Sequence, residues 1–285
     1  MTKKVKNYII FKHIIRKNRG AIELKDVKII VATHKRYIMP EDSIYLPVQA
    51  GREGREDLRY QPDNTGDNIS SKNPFYSELT ALYWAWKNLD SDYIGLAHYR
   101  RLFSMKRKMF GSPESKVNYA INGEELDKLF DETDIILPKK RYYFIENLYS
   151  HYKHTMYIEP LDETRKIIEE KYPNYLKEFD KLQKRTSAHI FNMFIMKKEH
   201  LNQYCTWLFD ILFELEKRID INQYDEFHSR FFGRVSELLL DVWLKTNNLK
   251  YKEINFMYIE KVNWPKKITF FLKAKFIGKK YGKSF

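Results

Sequence analysis

Short runs of apolar, mostly β-branched residues alternate along this chain with longer segments of helical character, and this alternation constrains the fold more than any other feature. The runs at 27–35, 93–98, 134–137, 191–196 and 251–262 have the length and composition of strands. Strands that alternate with helices usually build a sheet covered by helices. We therefore predict an α/β sandwich with a mostly parallel central sheet flanked by helices.

The segment 73–89, NPFYSELTALYWAWKNL, gives the clearest helix prediction. Asn73 is a good N-cap, and Pro74 suits the first helical position. The predicted buried stripe, at spacings of four, three and four, is Phe75, Leu79, Leu82 and Trp86. The Gly-, Arg- and Asp-rich segment 49–73 before it reads as a loop of 25 residues. Loops of that length are usually functional or mobile.

Positive charge is concentrated at the two ends of the chain. The net charge is +13, and residues 1–25 and 260–285 each carry eight Lys or Arg against one Glu, which is +7 apiece. The middle, residues 26–259, is therefore nearly neutral at −1. We predict a basic N-terminal extension over 1–25, one catalytic domain over 26–259, and a basic aromatic C-terminal tail over 260–285. A neutral folded part disfavours nucleic-acid binding, which needs a basic patch on the domain.

The C-terminal tail interleaves lysines with aromatic side chains, as in NWPKKITFFLKAKFIGKKYGKSF. This pattern suits an anionic membrane surface, where each lysine contributes about 1 kcal/mol and apolar burial adds to it. The alternative is a solvated tail that packs a few aromatic rings on the domain. No apolar run approaches the roughly 18 residues of a membrane span. The N-terminus is a poor secretory signal, and the single Cys205 fits a reducing compartment. We expect a cytoplasmic protein, peripheral at the inner face of the cell membrane.

One predicted strand runs directly into charged residues, in the sequence DYIGLAHYRRLFS. His98, Tyr99, Arg100 and Arg101 follow its apolar part without a turn residue. Ligands of open α/β sheets bind at the carboxyl ends of strands, and paired guanidinium groups suit a phosphate or carboxylate. Lys35 follows the first strand in an equivalent position. The alternative is a surface arginine pair bound to the protein's own carboxylates.

Two glutamates are candidate catalytic bases. Glu237 lies in the helical segment GRVSELLLDVWL among apolar neighbours, three residues after Arg234. It is either ion-paired to that arginine or held in a cleft as a general base. Glu78, on the polar face of the first predicted helix, is a similar candidate.

The histidines give weaker signals. His151 and His154 could share a face of one helical turn, but no second Cys or His pair accompanies them at a diagnostic zinc spacing. His189 and Asn192 flank a predicted strand and would serve either as structural side chains or as hydrogen-bond partners of a sugar or acceptor. The acidic pair in 90–92, DSD, precedes its strand and so belongs at the edge opposite the ligand. Dinucleotide-binding, P-loop and nucleophile-elbow motifs are absent from the sequence.

Four segments together resemble a known family: YLPVQAGRE, DNTGDNISSKNPFYSELTALYWAWKN, DYIGLAHYRRLF and GRVSELLLDVWL. They are similar to bacterial capsular and exopolysaccharide glycosyltransferases long catalogued as a domain of unknown function, and the resemblance covers roughly 28–250. It implies a GT-A-like fold, a nucleotide-sugar donor that is UDP-linked (galactofuranose in several members), and a lipid-linked glycan acceptor in capsule, exopolysaccharide or O-antigen synthesis.

On this resemblance, His98–Arg101 occupy the place where GT-A enzymes have a metal-binding Asp-x-Asp pair. Cationic side chains would then offset the pyrophosphate charge, and whether Mg²⁺ or Mn²⁺ is also needed stays open. We expect inverting transfer with Glu237 as the base and Glu78 as an alternative base or donor-sugar contact. The predicted donor-site residues are Lys35, Asp67, Asn68, Lys72, Asn73, His98, Tyr99, Arg100 and Arg101, and the predicted acceptor-site residues are His151, His154, His189 and Asn192. The alternatives are a nucleic-acid-binding protein, favoured by the pI near 9.4, and a non-catalytic scaffold of a polysaccharide assembly complex.

Overall fold

A computed structural model describes residues 25–106 and 110–263, together with residues 265, 269, 271 and 275 of the C-terminal tail. The strands of this part are β1 Val27–Thr33, β2 Tyr45–Gln49, β3 Gln61–Pro62, β4 Tyr93–His98, β5 Arg101–Ser104, β6 Ile135–Pro138, β7 Arg141–Tyr142, β8 Ser187–Ala188, β9 Phe194–Lys197 and β10 Lys252–Tyr258. The α-helices are α1 Asn73–Tyr76, α2 Leu79–Asn88, α3 Pro113–Val117, α4 Gly123–Phe130, α5 Leu148–Thr155, α6 Glu159–Lys171, α7 Pro173–Gln183, α8 Lys198–Arg218 and α9 Phe231–Thr246. The predicted α/β class is confirmed.

The main sheet has eight strands in the order β3-β2-β1-β4-β5-β10-β6-β9, and β9 also pairs with β4. It is mixed, so the prediction of a mostly parallel sheet needs correction. Strands β1, β2, β3 and β4 form parallel pairs, as do β6 and β10. The antiparallel pairs are β4–β5, β5–β10, β4–β9 and β6–β9. The reason is local: only two residues separate β4 from β5, a connection too short for a parallel crossover.

Strand β4 lies in the middle of the sheet. It pairs with β1 along its whole length on one side. On the other side its first four residues pair with β9, and its last residue pairs with the start of β5. Gly95 permits the close approach of β9, because an added Cβ atom would lie 2.9 Å from the side chain of Ile195. The strand is buried along its length except at His98, so its carboxyl end emerges from the core as predicted.

The predicted helix over 73–89 is broken at Ser77. That residue has a φ of +52°, which ends α1 after Tyr76 and lets α2 begin at Leu79 in a new direction. The side-chain amide of Asn73 stabilises the break by donating to the carbonyl of Ser77 and to Oγ1 of Thr80. Leu79 and Leu82 are buried as the stripe predicted.

The long loop before α1 is organised around the buried carboxylate of Asp63. Its two oxygens accept hydrogen bonds from the backbone N–H groups of Gly51 and Arg52 at 2.7 and 2.9 Å. They also accept from the hydroxyls of Ser70 and Thr80. Gly51 has a φ of +68°, and an added Cβ atom would lie 2.3 Å from the side chain of Asn73. The loop is therefore an ordered wall against α1 and α2.

The N-terminal extension lies outside the described residues, apart from Lys25, as does most of the C-terminal tail. Among the described residues, no helix combines the length and hydropathy needed to cross a membrane.

Candidate active site

A cleft of about 500 Å³ opens at the carboxyl ends of β1 and β4. Its walls come from the end of β1, the β4–β5 turn, the Ser77 break, α5 and the first half of α9. The tight β4–β5 turn directs the side chains of Arg100 and Arg101 into this space, and α9 contributes Arg234 and Glu237. The cleft thus lies where the sequence predicted a ligand site.

The described lining of the cleft is strongly cationic. Two carboxylates, Glu78 and Glu237, face a larger number of guanidinium groups. The lining arginines are Arg55, Arg100, Arg101, Arg141, Arg230 and Arg234. Several fixed positive charges in a concave, partly dry site create a strong attraction for a multiply charged anion.

Arg100 and Arg101 keep their charge available to a ligand. Neither forms a salt bridge with a carboxylate of the described residues, and the buried Nε atom of each lacks a hydrogen-bond partner there. The guanidinium group of Arg101 lies 4.3 Å from the ring centre of Phe191 and 5.5 Å from that of Tyr258. These rings offer favourable cation–π contacts to the guanidinium. Burial lowers the pKa of Arg101, although an arginine stays protonated at physiological pH.

His98 is neutral in this surrounding. Burial, followed by the charges of Arg100 and Arg101, holds its pKa well below the usual value. Its Nδ1 atom accepts a hydrogen bond from the backbone N–H of Arg100 at 3.2 Å, which leaves the ring proton on Nε2. His34 lines the same wall, and burial and Arg100 lower its pKa too. Both rings can therefore donate or accept without adding charge.

Glu237 combines the two roles that the sequence left open. Its carboxylate lies 3.6 Å from the guanidinium of Arg234, and it also faces the cleft. Burial raises the pKa of Glu237, Arg234 opposes this effect, and the nearby charge of Glu78 reinforces it. A carboxylate with a raised pKa is a stronger base than an ordinary glutamate.

Glu78 precedes the first residue of α2, next to the break at Ser77. Its Oε1 atom accepts a hydrogen bond from the side-chain amide of Asn192 at 2.8 Å. The same amide donates to the carbonyl of Gly233, and the amide oxygen of Asn192 accepts from the hydroxyl of Ser236 at 2.7 Å. Asn192 is thus bound on both sides of its amide and holds Glu78 in place rather than lining the cleft itself.

The two predicted acceptor-site histidines of α5 are brought together by the buried carboxylate of Glu146. It bonds Nδ1 of His151 at 2.7 Å and Nδ1 of His154 at 2.9 Å. Burial acts to raise the pKa of Glu146, but these hydrogen bonds leave it lower than usual. Burial lowers the pKa of His151. His151 lines the cleft, whereas His154 lies behind it.

Several predicted donor-site residues are bonded elsewhere. The Nζ atom of Lys35 lies 3.0 Å from Glu260, over the ring of the buried Tyr99, and neither Lys35 nor Tyr99 lines the cleft. Lys72 forms a 2.6 Å ion pair with Glu216 on α8. These partners draw both lysines away from the cleft.

Asp67 and Asn68 form a turn rather than part of the cleft wall. The backbone of Asp67 is bound to the side chain of Asn88, and its carboxylate accepts from Tyr83. The side chain of Asn68 bonds the backbone of Gly66 and of Ser70. Asn73 does line the cleft, at the foot of α1.

His189 also lies outside the cleft lining. Its ring is buried between two carboxylates, with Nδ1 on Asp241 and Nε2 at 2.8 Å from Glu253. This is the structural alternative that the sequence left open, and it ties α9 to β10.

The sequence did not single out His34, Arg55, Arg141 and Arg230, which line the cleft. His34 and Arg141 each follow a strand closely, so the signal that identified Lys35 would have found them. Arg55 lies in the long loop and Arg230 just before α9, and only tertiary packing brings these two to the site.

The cleft residues do not fit a dedicated divalent-metal site. Mg²⁺ and Mn²⁺ prefer several oxygen ligands, whereas Glu78 is bound by Asn192 and Glu237 faces Arg234. No group of three or more His, Cys, Asp and Glu side chains among the described residues could hold a metal ion. The carboxyl end of β4 carries His98–Arg101 and no carboxylate.

Comparison with known proteins gives two matches. A protein-family profile described as "Domain of unknown function (DUF4422)" matches residues 28–248. A solved structure titled as the apo structure of the WbbM bifunctional glycosyltransferase is similar, with a TM-score of 0.76 and 31% sequence identity. The match covers 83% of this chain and 46% of that one, so the chain spans less than half of that enzyme. No curated protein sequence matches.

Proposed function

The chain belongs to the family described as Domain of unknown function DUF4422, and from this premise and the arginine-lined cleft we propose that it is a nucleotide-sugar-dependent glycosyltransferase. The similar solved structure, which carries the glycosyltransferase title, shares the fold over 83% of this chain. The observation that carries the proposal is the cleft itself, where Arg100 and Arg101 lie at the carboxyl end of the central strand without carboxylate partners among the described residues.

The donor in this proposal is a UDP-linked sugar, with galactofuranose as the first candidate. Its diphosphate lies against Arg100 and Arg101, and Arg55 and Arg230 add positive charge to the same lining. His98 and Asn73 offer neutral hydrogen-bonding groups beside it. Lys35, Asp67, Asn68, Lys72 and Tyr99 remain candidates as a surrounding shell that supports this site, since other partners hold them outside the lining.

The reaction proposed is an inverting displacement. The acceptor hydroxyl oxygen forms a bond to the anomeric carbon, and its proton passes to Glu237. The bond from that carbon to the diphosphate oxygen breaks, and the electron pair leaves with the nucleoside diphosphate. The guanidinium groups stabilise the charge that develops on the leaving group. Glu78 is the reserve base or a contact of the donor sugar, and Asn192 fixes its orientation.

The acceptor proposed is a lipid-linked glycan of capsule, exopolysaccharide or O-antigen synthesis. It would enter along α5, where His151 faces the cleft and its ring is held by Glu146, whose other oxygen is bound by His154. The lysine-rich aromatic tail, residues 260–285, would bind an anionic membrane surface and keep the enzyme beside its acceptor. His189 would support the acceptor side only indirectly, through α9 and β10.

Thermal stabilisation by UDP and a panel of UDP-sugars tests the donor site, because a ligand of the native state raises the melting temperature. We expect the double variant Arg100→Ala/Arg101→Ala to fold but to bind UDP at least about tenfold more weakly, since each charge-assisted hydrogen bond contributes about 1.5–3 kcal/mol. The matched control is Arg165→Ala, a surface arginine paired with Asp180. Stabilisation should persist in EDTA, because arginine charge replaces a metal in this scheme.

Equal UDP stabilisation of the double variant and the wild type would overturn the donor site. Wild-type protein that binds UDP but releases no UDP from any UDP-sugar, with lipid extract as acceptor, would favour the scaffold. Tight RNA binding at physiological salt, without UDP binding, would favour the nucleic-acid alternative.

A further inference from the structure

A short apolar loop, residues 142–145, projects into solvent beside the cleft. Phe144 is 91% exposed, Tyr142 58% and Ile145 53%. The rings of Tyr142 and Phe144 stack with centres 6.4 Å apart. Between them, Tyr143 turns the other way and lines the cleft, as does Arg141. Isolated exposed apolar residues are common on protein surfaces. Three within four positions form an apolar patch, which is typical of a surface that binds a partner.

The backbone of this apolar loop is held firmly. Strands β7 and β8 pair at its start, and the N–H of Tyr143 donates to the carbonyl of Thr186 at 2.7 Å. At its end, the buried carboxylate of Glu146 is bound by His151 and His154. The apolar side chains are therefore presented on a fixed support, and little ordering entropy is lost when they contact a partner.

Cationic side chains accompany the apolar loop. Lys139 precedes it and is exposed, and Lys184 is exposed next to Arg185, whose carbonyl accepts the N–H of Leu148 just after the loop. The C-terminal tail reaches the same place: Nζ of Lys275 donates to the carbonyl of Ile145 at 2.7 Å. An apolar tip accompanied by lysines is complementary to an anionic lipid surface.

We propose that the apolar loop inserts into the interfacial layer of an anionic bilayer and sets the opening of the cleft against the membrane. The lysines of the tail supply long-range electrostatic attraction to the bilayer. The apolar loop sets how deeply the protein inserts and how the cleft is oriented toward the membrane. Three exposed side chains offer too little surface for a stable protein interface, which buries about 1,200–2,000 Å², whereas apolar side chains beside lysines combine the two contributions that bind a protein surface to anionic lipid. This inference deepens the proposed function and rests on it for the lipid-linked acceptor.

Site-specific fluorescence in the full chain tests the insertion. The native Cys205 is the single cysteine and is buried, so an environment-sensitive NBD label attaches selectively to a Phe144→Cys variant. We expect its emission to shift to the blue and intensify with phosphatidylglycerol/phosphatidylcholine vesicles but not with pure phosphatidylcholine. The matched control is Phe110→Cys, which replaces a ring 81% exposed that does not line the cleft; its label should remain in a watery environment.

Vesicle co-sedimentation of Phe144→Ser/Ile145→Ser gives the second readout. We expect vesicle affinity to fall by about tenfold or more, because two apolar side chains lose their burial in lipid, while UDP stabilisation stays at the wild-type value.

A label at position 144 that stays in water while the protein binds vesicles would overturn the proposal and leave the tail as the anchor. Unchanged vesicle affinity of the serine variant, or a wild type that binds no anionic vesicles, would also overturn it. Concentration-dependent dimerisation that the serine variant abolishes would assign the loop to a second copy of the chain instead. A wild type that fails to bind UDP contradicts the donor site alone, because none of the vesicle measurements requires turnover.

Discussion

Replacing Glu237 by Gln removes the proposed base and preserves the shape of the side chain. In the folded protein, Glu237 faces the cleft, lies 3.6 Å from Arg234 and is near enough to Glu78 for that charge to help raise the pKa of Glu237. Gln retains the volume and can accept a hydrogen bond from Arg234, but it cannot take up a proton. The effect on turnover thus isolates proton transfer from packing.

General bases usually contribute 10²- to 10⁴-fold to a rate, which corresponds to about 3–5 kcal/mol of transition-state stabilisation. We expect a loss of that size in kcat and no loss of UDP affinity, because one negative charge leaves a cleft that binds a diphosphate. Burial raises the pKa of Glu237, so the wild-type rate should climb with pH over a range above the ordinary glutamate value. This ascending limb should be absent from Glu237→Gln.

The thermal stability of the wild type should fall over the pH range in which its rate climbs. A carboxyl group whose pKa is raised by folding contributes most favourably below its unfolded-state pKa, and this contribution is lost as pH rises through the folded-state pKa. Gln resembles the protonated form at every pH. The variant should therefore match the wild type at acidic pH and melt at higher temperature than the wild type as pH rises toward neutrality, by about 2–4 °C for each 1 kcal/mol in a chain of this size.

UDP release from the selected UDP-sugar, followed across pH, measures the first effect, and calorimetric melting measures the second. The matched variant is Glu78→Gln. If Glu237→Gln loses less than about tenfold in rate and keeps the ascending limb of the pH–rate profile, Glu237 is not the base. If the ascending limb is absent from Glu78→Gln instead, Glu78 is the base. A variant less stable than the wild type at neutral pH would contradict the inference from burial.

Two further outcomes follow from the residues that support the cleft. Asn192→Ala should lower kcat by about tenfold and shift the pH–rate profile, because Glu78 loses the amide that orients it. UDP affinity should be unchanged. An unaltered pH–rate profile would show that Asn192 serves packing only. His189→Leu should destabilise the fold by about 3–5 kcal/mol, because the buried carboxylate of Asp241 loses the imidazole and keeps only the backbone N–H of residue 189 and Arg185 at 3.8 Å. Chemical denaturation measures this loss. A parallel drop in UDP binding by the remaining folded protein would give His189 a role in the site.

The sequence predicted the strands and the ligand edge where one strong local signal was enough. For the apolar run that ends in His98–Arg101, the rule that ligands of α/β sheets bind at strand ends was enough to predict a ligand site. The mixed sheet was not predicted, because β5 is the four-residue segment RLFS directly after the turn, and only its pairings with β4 and β10 identify it as a strand. The helix break was missed for a related reason, since the left-handed backbone of Ser77 depends on bonds made by Asn73 in the folded state.

Residue type alone could not distinguish the residues that line the cleft from those that lie outside the lining and support it. Lys35 and Lys72 have the charge that a phosphate site needs, but Glu260 and Glu216 lie far away in the sequence and bind them. Arg55 and Arg230 carry no local signal and reach the cleft only through packing. Asn192 was expected near the acceptor, and the structure instead places it behind Glu78.

The buried carboxylate of Asp63 has a consequence for how a ligand is received. Four donors from three separate stretches of chain converge on it, so the wall that carries Arg55 is assembled before any ligand arrives. A ligand therefore binds a preformed surface on that side of the cleft. The conformational entropy of the 25 loop residues is already lost on folding, so ordering them does not weaken binding.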